Sequence, residues 1–243
     1  GADGGGYDIA GRRYKADGTP IGNEFVVNST SSGDQKWPNL ETFGDGRSVV
    51  VWNSMGQDGD GNGVFAQFYD GAGTKSGIEL QVNTYVAGNQ NVGVPAGLMD
   101  GRSLVIWNGA GTGAPSGGIW GRLYDPAGEP KGVPTLFNTF VTGNQGWTAS
   151  CATGTDGFVV VWRSFGQDGD DYGVIGRRLT AGGSPVGDEF LVNQHIVGDQ
   201  GKPHVAGFAD GSFVVVWESL GQDGDGYGIF AQRFDKDGNK IYH

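Results

Sequence analysis

Four tryptophans, Trp52, Trp107, Trp162 and Trp217, stand 55 residues apart, and so do Asn28, Asn83, Asn138 and Asn193, and Gln35, Gln90, Gln145 and Gln200. A fixed period of this size marks one supersecondary unit that buries its apolar face only by stacking on copies of itself. Counted from Gly1, the units are 1–55, 56–110, 111–165 and 166–220, followed by a stub, 221–243, in a single repeat domain of 243 residues. The stub is a fifth copy of the opening segment: GQDGDGYGIFAQRFDKDG at 221–238 aligns with GADGGGYDIAGRRYKADG at 1–18. Only the loop before Phe158 breaks the register, Asp156–Gly157 standing one place later than Asp45–Gly46, Asp100–Gly101 and Asp210–Gly211.

The segments between glycines are short, β-branched or aromatic, and bounded by turn residues. Glycine makes up 49 of 243 residues, about three times the usual ~7%. Strong apolar runs between the glycines exclude a disordered Gly-rich linker. Within one unit the expected strands are 189–193 with its preceding turn, 203–208, 213–217 and 228–234. The Phe213–Trp217 strand and its partners are apolar at every position, which requires cover on both faces. In the last strand the aliphatic position (Ile9, Val64, Ile119, Val174, Ile229) is followed two places later by a small one (Gly11, Ala66, Gly121, Gly176, Ala231). Small residues at a fixed strand position imply close approach of a neighbouring backbone or sheet.

The expected fold is therefore all-β, a β-propeller of four 55-residue four-stranded repeats plus an extra fifth copy of the first strand. An open stack of small sheets and a pair of β-sandwiches are the alternatives. The surplus copy would close the ring as an added strand or be donated to another molecule.

Charge and cysteine content narrow the function classes. A net charge of −11 argues against nucleic acid and anionic membranes and favours cations. Cys151 alone excludes an intrachain disulfide, and its alignment with Glu41, Ala96 and Ala206 suggests a small filler. No 18-residue apolar stretch and no signal peptide occur, so membrane insertion is not expected. The start at Gly1, in mid-repeat, reads as a processed product or a piece of a longer chain.

The sharpest chemical pattern is alternate carboxylates in the loops after the Trp strand: Asp58, Asp60 and Asn62; Asp168 and Asp170; Asp223 and Asp225. Such spacing converges on one hard cation, and Ca²⁺ is the expected cofactor. The twelfth-position glutamate of an EF-hand is missing, Tyr172 and Tyr227 replace the third ligand, and the second unit has lost its carboxylates. Plain Asp-Gly turns are the alternative. A second pattern, Gly-Asx-Gln, recurs at Asp34–Gln35, Asn89–Gln90, Asn144–Gln145 and Asp199–Gln200, with Trp37 and Trp147 beside two copies. It offers amides for sugar hydroxyls and rings for sugar faces, or simply pins a loop. No catalytic residues are expected. The histidines fall at unrelated positions and no nucleophile motif occurs.

The segment Phe213–Phe234 with Glu189–Asn193 and Gly198–Gln200 resembles the tandem repeats of large secreted bacterial RTX and calcium-dependent adhesin proteins. That resemblance implies a propeller-like, extracellular, calcium-dependent repeat, although the G-G-x-G-x-D nonapeptide is absent. The combined expectation is a secreted, non-catalytic, calcium-binding protein with a structural or adhesive role. A multivalent lectin that uses the Gly-Asx-Gln rim on a cell-surface glycan and a self-associating filament or surface-layer subunit are the alternatives.

Overall fold

The computed structural model describes residues 5–155 and 157–242; Gly1 and Asp156, both named above, lie outside them. Among the described residues there is no helix. The chain opens with β1 (Ala10–Tyr14) and β2 (Pro20–Val26), which form a two-stranded sheet. Four four-stranded antiparallel sheets follow. The first holds β3 (Gln35–Thr42), β4 (Ser48–Met55), β5 (Asn62–Tyr69) and β6 (Lys75–Gln81). The second holds β7 (Gln90–Gly97), β8 (Ser103–Gly111), β9 (Ala114–Tyr124) and β10 (Pro130–Leu136). The third comprises β11 (Gln145–Thr153), β12 (Gly157–Phe165), β13 (Tyr172–Thr180) and β14 (Pro185–Leu191). The last comprises β15 (Gln200–Gly207), β16 (Phe213–Leu220), β17 (Tyr227–Phe234) and β18 (Lys240–Ile241).

Each sheet is a simple meander because its turns are short and locally encoded. Between the third and fourth strands, Asp125 N–H donates to Glu129 O and Gly128 N–H to Asp125 O, while the Asp125 carboxylate accepts from the Ala127 and Glu129 amides. Gly128 holds φ 85°, which glycine adopts without strain.

The sheets stack face to face, and the core lies between them. Val49, Val51, Val64 and Phe68 of one sheet meet Val105, Trp107 and Tyr124 of the next. Leu104, Ile106 and Ile119 meet Phe158, Val160 and Trp162 across the following gap, and Val159, Val161 and Val174 meet Phe213, Val215 and Trp217 across the last. The Trp strands are covered on both faces, as their unbroken apolar character requires. Full burial of each such side chain contributes about 1.5–3 kcal/mol. Inner strands adjoin in order, β3 with β7, β7 with β11 and β11 with β15.

Two expectations are corrected here. There are not four sheets and a surplus strand: the first copy, β1–β2, forms its own half-sheet, and the fifth, β17, pairs with β16 and β18 in its own sheet. The sheet boundary falls between fourth and first strands, so counting units from Gly1 cuts every sheet in half. A strand for donation at 228–243 is therefore absent, because β17 is an interior strand. The recurrent small residue also has a different cause. A Cβ at Gly11 or Gly176 would run into the ring of Phe25 or Phe190 from the neighbouring fourth strand, so an aromatic side chain, and not a backbone, makes the close approach.

Candidate functional site

All the polar loops named above, those before the inner strands and those after the Trp strands, lie at the same end of the sheets. Two residues that recur in every unit hold this end together. Asn83 accepts from Val64 N–H at 2.8 Å and donates to Asp58 Oδ2 at 2.8 Å, Tyr85 O at 3.0 Å and Gln90 Oε1 at 3.0 Å. Asn193 repeats the set with Val174 N–H, Asp168, His195 O and Gln200. Gln35, Gln90, Gln145 and Gln200 are buried, and each donates to a carbonyl of its own loop: Ser32, Ala87, Thr142 and Val197. These amides tie the fourth strand of one sheet to the start of the next.

The aspartate loops join the same framework. Asp60 Oδ2 accepts from Gly88 N–H at 3.0 Å and Asp170 Oδ2 from Gly198 N–H at 2.9 Å. Asn62 donates its backbone N–H to Asn89 Oδ1 and its side-chain amide to Asn91 Oδ1. Asp223 Oδ1 accepts from Asp225 N–H at 3.4 Å. Among the described residues no group of three or more Asp, Glu, His or Cys side chains is arranged to hold a metal ion.

Beyond these fixed amides the inner strands bulge. Strand register shifts between Lys36 and Asn39, Asn91 and Val94, Gly146 and Ala149, and Gly201 and His204. Three bulge residues, Trp37 (φ 54°), Trp147 (φ 50°) and Lys202 (φ 47°), are the non-glycine residues with positive φ among those described. Such backbone costs about 1–3 kcal/mol per residue and persists where surrounding structure enforces it. A bulge re-aims its side chain. Here Trp37 and Trp147 are turned out of the sheets and exposed.

Both rings line a cavity of about 490 Å³, together with Asn91, Asn108, Asn144, Gly146 and Arg163. The Arg163 guanidinium lies 4.1 Å from the Tyr172 ring centre and 5.8 Å from that of Trp147, and Lys202 Nζ is 5.7 Å from the Trp147 ring centre. Asn108 Oδ1 and Arg163 Nε are buried without a protein hydrogen-bond partner.

The last sheet adds acid groups. Lys202 Nζ is 3.0 Å from Glu218 Oε2, and Tyr227 O–H donates to Asp199 Oδ2 at 3.2 Å. The Asp199 charge, and less strongly that of Glu218, push the Tyr227 phenol above its usual range. Both carboxylates therefore act on one hydroxyl. Asp199 Oδ1 is buried and unpartnered.

Of the residues singled out in the sequence, Trp37, Trp147 and Asn144 line the cavity and Asp199 enters the acid cluster. Asn89 holds the Asn62 backbone, and Asp34 pairs with Lys36 at 2.6 Å. The four glutamines turn inward. Arg163, Lys202 and Glu218 were not singled out, and Tyr227 was read only as a replacement for a calcium ligand. Their signal was present: the position occupied by Asn53, Asn108 and Arg163 carries a carboxylate only at Glu218, and the Trp37 and Trp147 position becomes Lys202.

No protein-family model matches this chain, and no curated protein matches it in sequence. Solved structures do match. An α-L-arabinofuranosidase from Lactobacillus brevis superimposes with a TM-score of 0.54 at 12% identity, over 91% of this chain and 81% of that one. A thermostable family-43 glycoside hydrolase superimposes with a TM-score of 0.53 at 10% identity, over 91% of this chain and 82% of that one. The fold is shared with β-propeller glycoside hydrolases. The RTX-adhesin resemblance is thereby corrected, and with it the expectation of a non-catalytic adhesive, lectin or filament protein. A 55-residue period reports stacking geometry, which adhesive repeats and propeller enzymes have in common. At this identity the likeness concerns the fold.

Proposed function

We propose that this chain is a glycan-cleaving enzyme with five positions around a propeller axis, its substrate lying across the bulged starts of the inner strands. The observation that carries the reading is the Asp199, Lys202, Glu218 and Tyr227 cluster, built in the last sheet only and adjoining the Trp147 platform. Five positions account for the half-sheet β1–β2 and for the order of inner strands, which runs from β3 to β15 without β15 packing back on β3 to a comparable extent.

Glycoside hydrolysis needs two carboxyl groups flanking the scissile bond. One protonates the leaving oxygen, and the other activates water or attacks the anomeric carbon. Glu218 and Asp199 supply that pair. Lys202 holds Glu218, and the Tyr227 hydroxyl holds one oxygen of Asp199. Trp37 and Trp147 offer flat apolar faces for sugar rings, and the side chains of Asn91, Asn108 and Asn144 offer donors and acceptors for hydroxyls. Arabinose-containing oligosaccharides are the first class to test, because an α-L-arabinofuranosidase shares the fold.

The test is sugar release from nitrophenyl α-L-arabinofuranoside, other nitrophenyl pentosides and hexosides, and arabinan. Wild type is expected to turn over at least one. Glu218→Gln and Asp199→Asn should each lower kcat by about 10²–10⁴-fold, the contribution of a positioned acid or base. Absence of release from every substrate, or unchanged turnover in both variants, overturns the proposal.

A further inference from the structure

We propose that the cavity lined by Trp37 and Trp147 takes a carboxylate-bearing sugar, a uronate, and that Arg163 reads its carboxylate. The inference rests on the glycan-binding reading of that site and names the class of glycan that enters it. Among the described residues that line the cavity Arg163 alone is charged; the others are tryptophan, asparagine and glycine. Its position in the repeat is held by Asn53, Asn108 and Glu218 in the other sheets. The fold therefore makes no demand for a cation there.

Within the protein the guanidinium leaves its donors unused. Arg102, Arg122, Arg177 and Arg178 each donate to a backbone carbonyl of a neighbouring sheet or its loops. Arg163 has neither an ion pair nor a hydrogen bond among the described residues, and its buried Nε lacks a partner. Two aromatic rings hold it instead, with the guanidinium carbon 4.1 Å from the Tyr172 ring centre and 5.8 Å from that of Trp147. Such contacts use the π-faces of the rings and of the guanidinium. They leave the N–H groups along its edge for a planar acceptor. Half-burial of a cation without a counter-ion is unfavourable, and a ligand carboxylate supplies one. Lys202, the other cation beside Trp147, is already paired with Glu218 at 3.0 Å.

Gly201 relates Arg163 to the carboxyl pair assigned to cleavage. A Cβ at Gly201 would stand 3.7 Å from both Arg163 Cδ and Asp199 Oδ1, and 4.0 Å from Arg163 Nη1. Arginine and aspartate thus approach one point from two sheets without forming an ion pair. A carboxylate held by Arg163 accordingly belongs to a sugar next to the bond that Asp199 and Glu218 would cleave. The guanidinium fork matches the two oxygens of a carboxylate, and the Trp147 face suits the ring that carries it. Asn108 Oδ1, buried without a protein partner, accepts from a hydroxyl of the same ligand.

The experiment measures binding by calorimetry with oligosaccharides of glucuronate, galacturonate and mannuronate, each against its neutral hexose counterpart. At least one uronate is expected to bind about tenfold or more tightly than its counterpart, the scale of one charge-assisted pair. That preference should shrink as salt rises. Arg163→Gln should abolish it. Arg163→Lys should retain part of it, because the charge remains without the fork, and this second variant guards against a loss caused by misfolding. The proposal fails if no uronate is preferred or if the preference survives Arg163→Gln. It also fails if sulfated hexose counterparts bind as tightly as the uronates, which would make the site one for anions in general. Binding is read without turnover. Uronate preference without sugar release therefore overturns cleavage alone, and sugar release without uronate preference overturns the uronate assignment alone.

Discussion

Trp37 and Trp147 occupy the same repeat position two sheets apart, and both are held in left-handed backbone at a bulge, with φ of 54° and 50°. A tryptophan placed twice in backbone that only glycine adopts freely is retained for what its side chain does. Both rings line the same cavity.

Trp147→Gly should therefore separate stability from function. Glycine relieves the backbone strain, so the change in unfolding free energy should lie within about 1 kcal/mol of zero. Loss of the stacking face should raise KM by about tenfold, the scale of one aromatic contact. Denaturant unfolding and steady-state kinetics on the same variant check both halves.

Asn83→Ala should be among the most damaging single substitutions in the chain. Asn83 is buried and makes four hydrogen bonds that join three segments. Their loss leaves Val64 N–H, Tyr85 O and Gln90 Oε1 buried without that partner, at an expected cost of about 2–4 kcal/mol. Denaturant unfolding measures it directly. Lys202→Gln, which breaks the half-exposed pair with Glu218 and removes the ammonium beside the Trp147 ring, should cost no more than about 1 kcal/mol.

Glu41 yields a pH-dependent prediction. It is half-buried among the inner strands, and burial pushes its carboxyl above the usual range, although Gly97 N–H donates to it at 3.2 Å and acts in the opposite direction. A carboxyl with a raised folded-state value contributes stability that is fully present below its unfolded value and lost as pH rises through the folded one. Replacing it with the residue found at Ala96 and Ala206 should raise Tm at pH 7. The gain should shrink as pH falls and vanish well below pH 4.5, where Glu41 is protonated in both states. An equal gain at both pH values would refute the linkage.

Calcium at Asp58/Asp60, Asp168/Asp170 and Asp223/Asp225 is a proposal about oxygens left over from the loop hydrogen bonds. Thermal unfolding in EDTA and in millimolar Ca²⁺ tests it. A cation bound only by the folded chain raises Tm by mass action, and identical curves would reduce these loops to hydrogen-bonded turns.

The sequence alone determined the strands, their order and their turns. Those properties rest on local physics: β-branched runs such as Phe213–Trp217, Asp-x-x-Gly turns such as Asp125–Gly128, and a period that forces copies to stack. It did not reveal where a sheet begins, because Trp52, Trp107, Trp162 and Trp217 mark the period and not its phase. The phase is set by the hydrogen-bond ladder, which joins β3 to β4 and leaves β1 with β2. The site was legible only in part. Trp37, Trp147 and Asp199 could be picked out as polar or aromatic members of repeated loops, but Gln35 and Gln200 look equally available in the sequence and turn inward. Lys202, Glu218 and Tyr227 acquire meaning only when bulged strand starts bring them beside Asp199 and Trp147. That convergence was decided by the tertiary structure, because it depends on bulge direction and on packing between residues as much as 55 positions apart, neither of which any local pattern encodes.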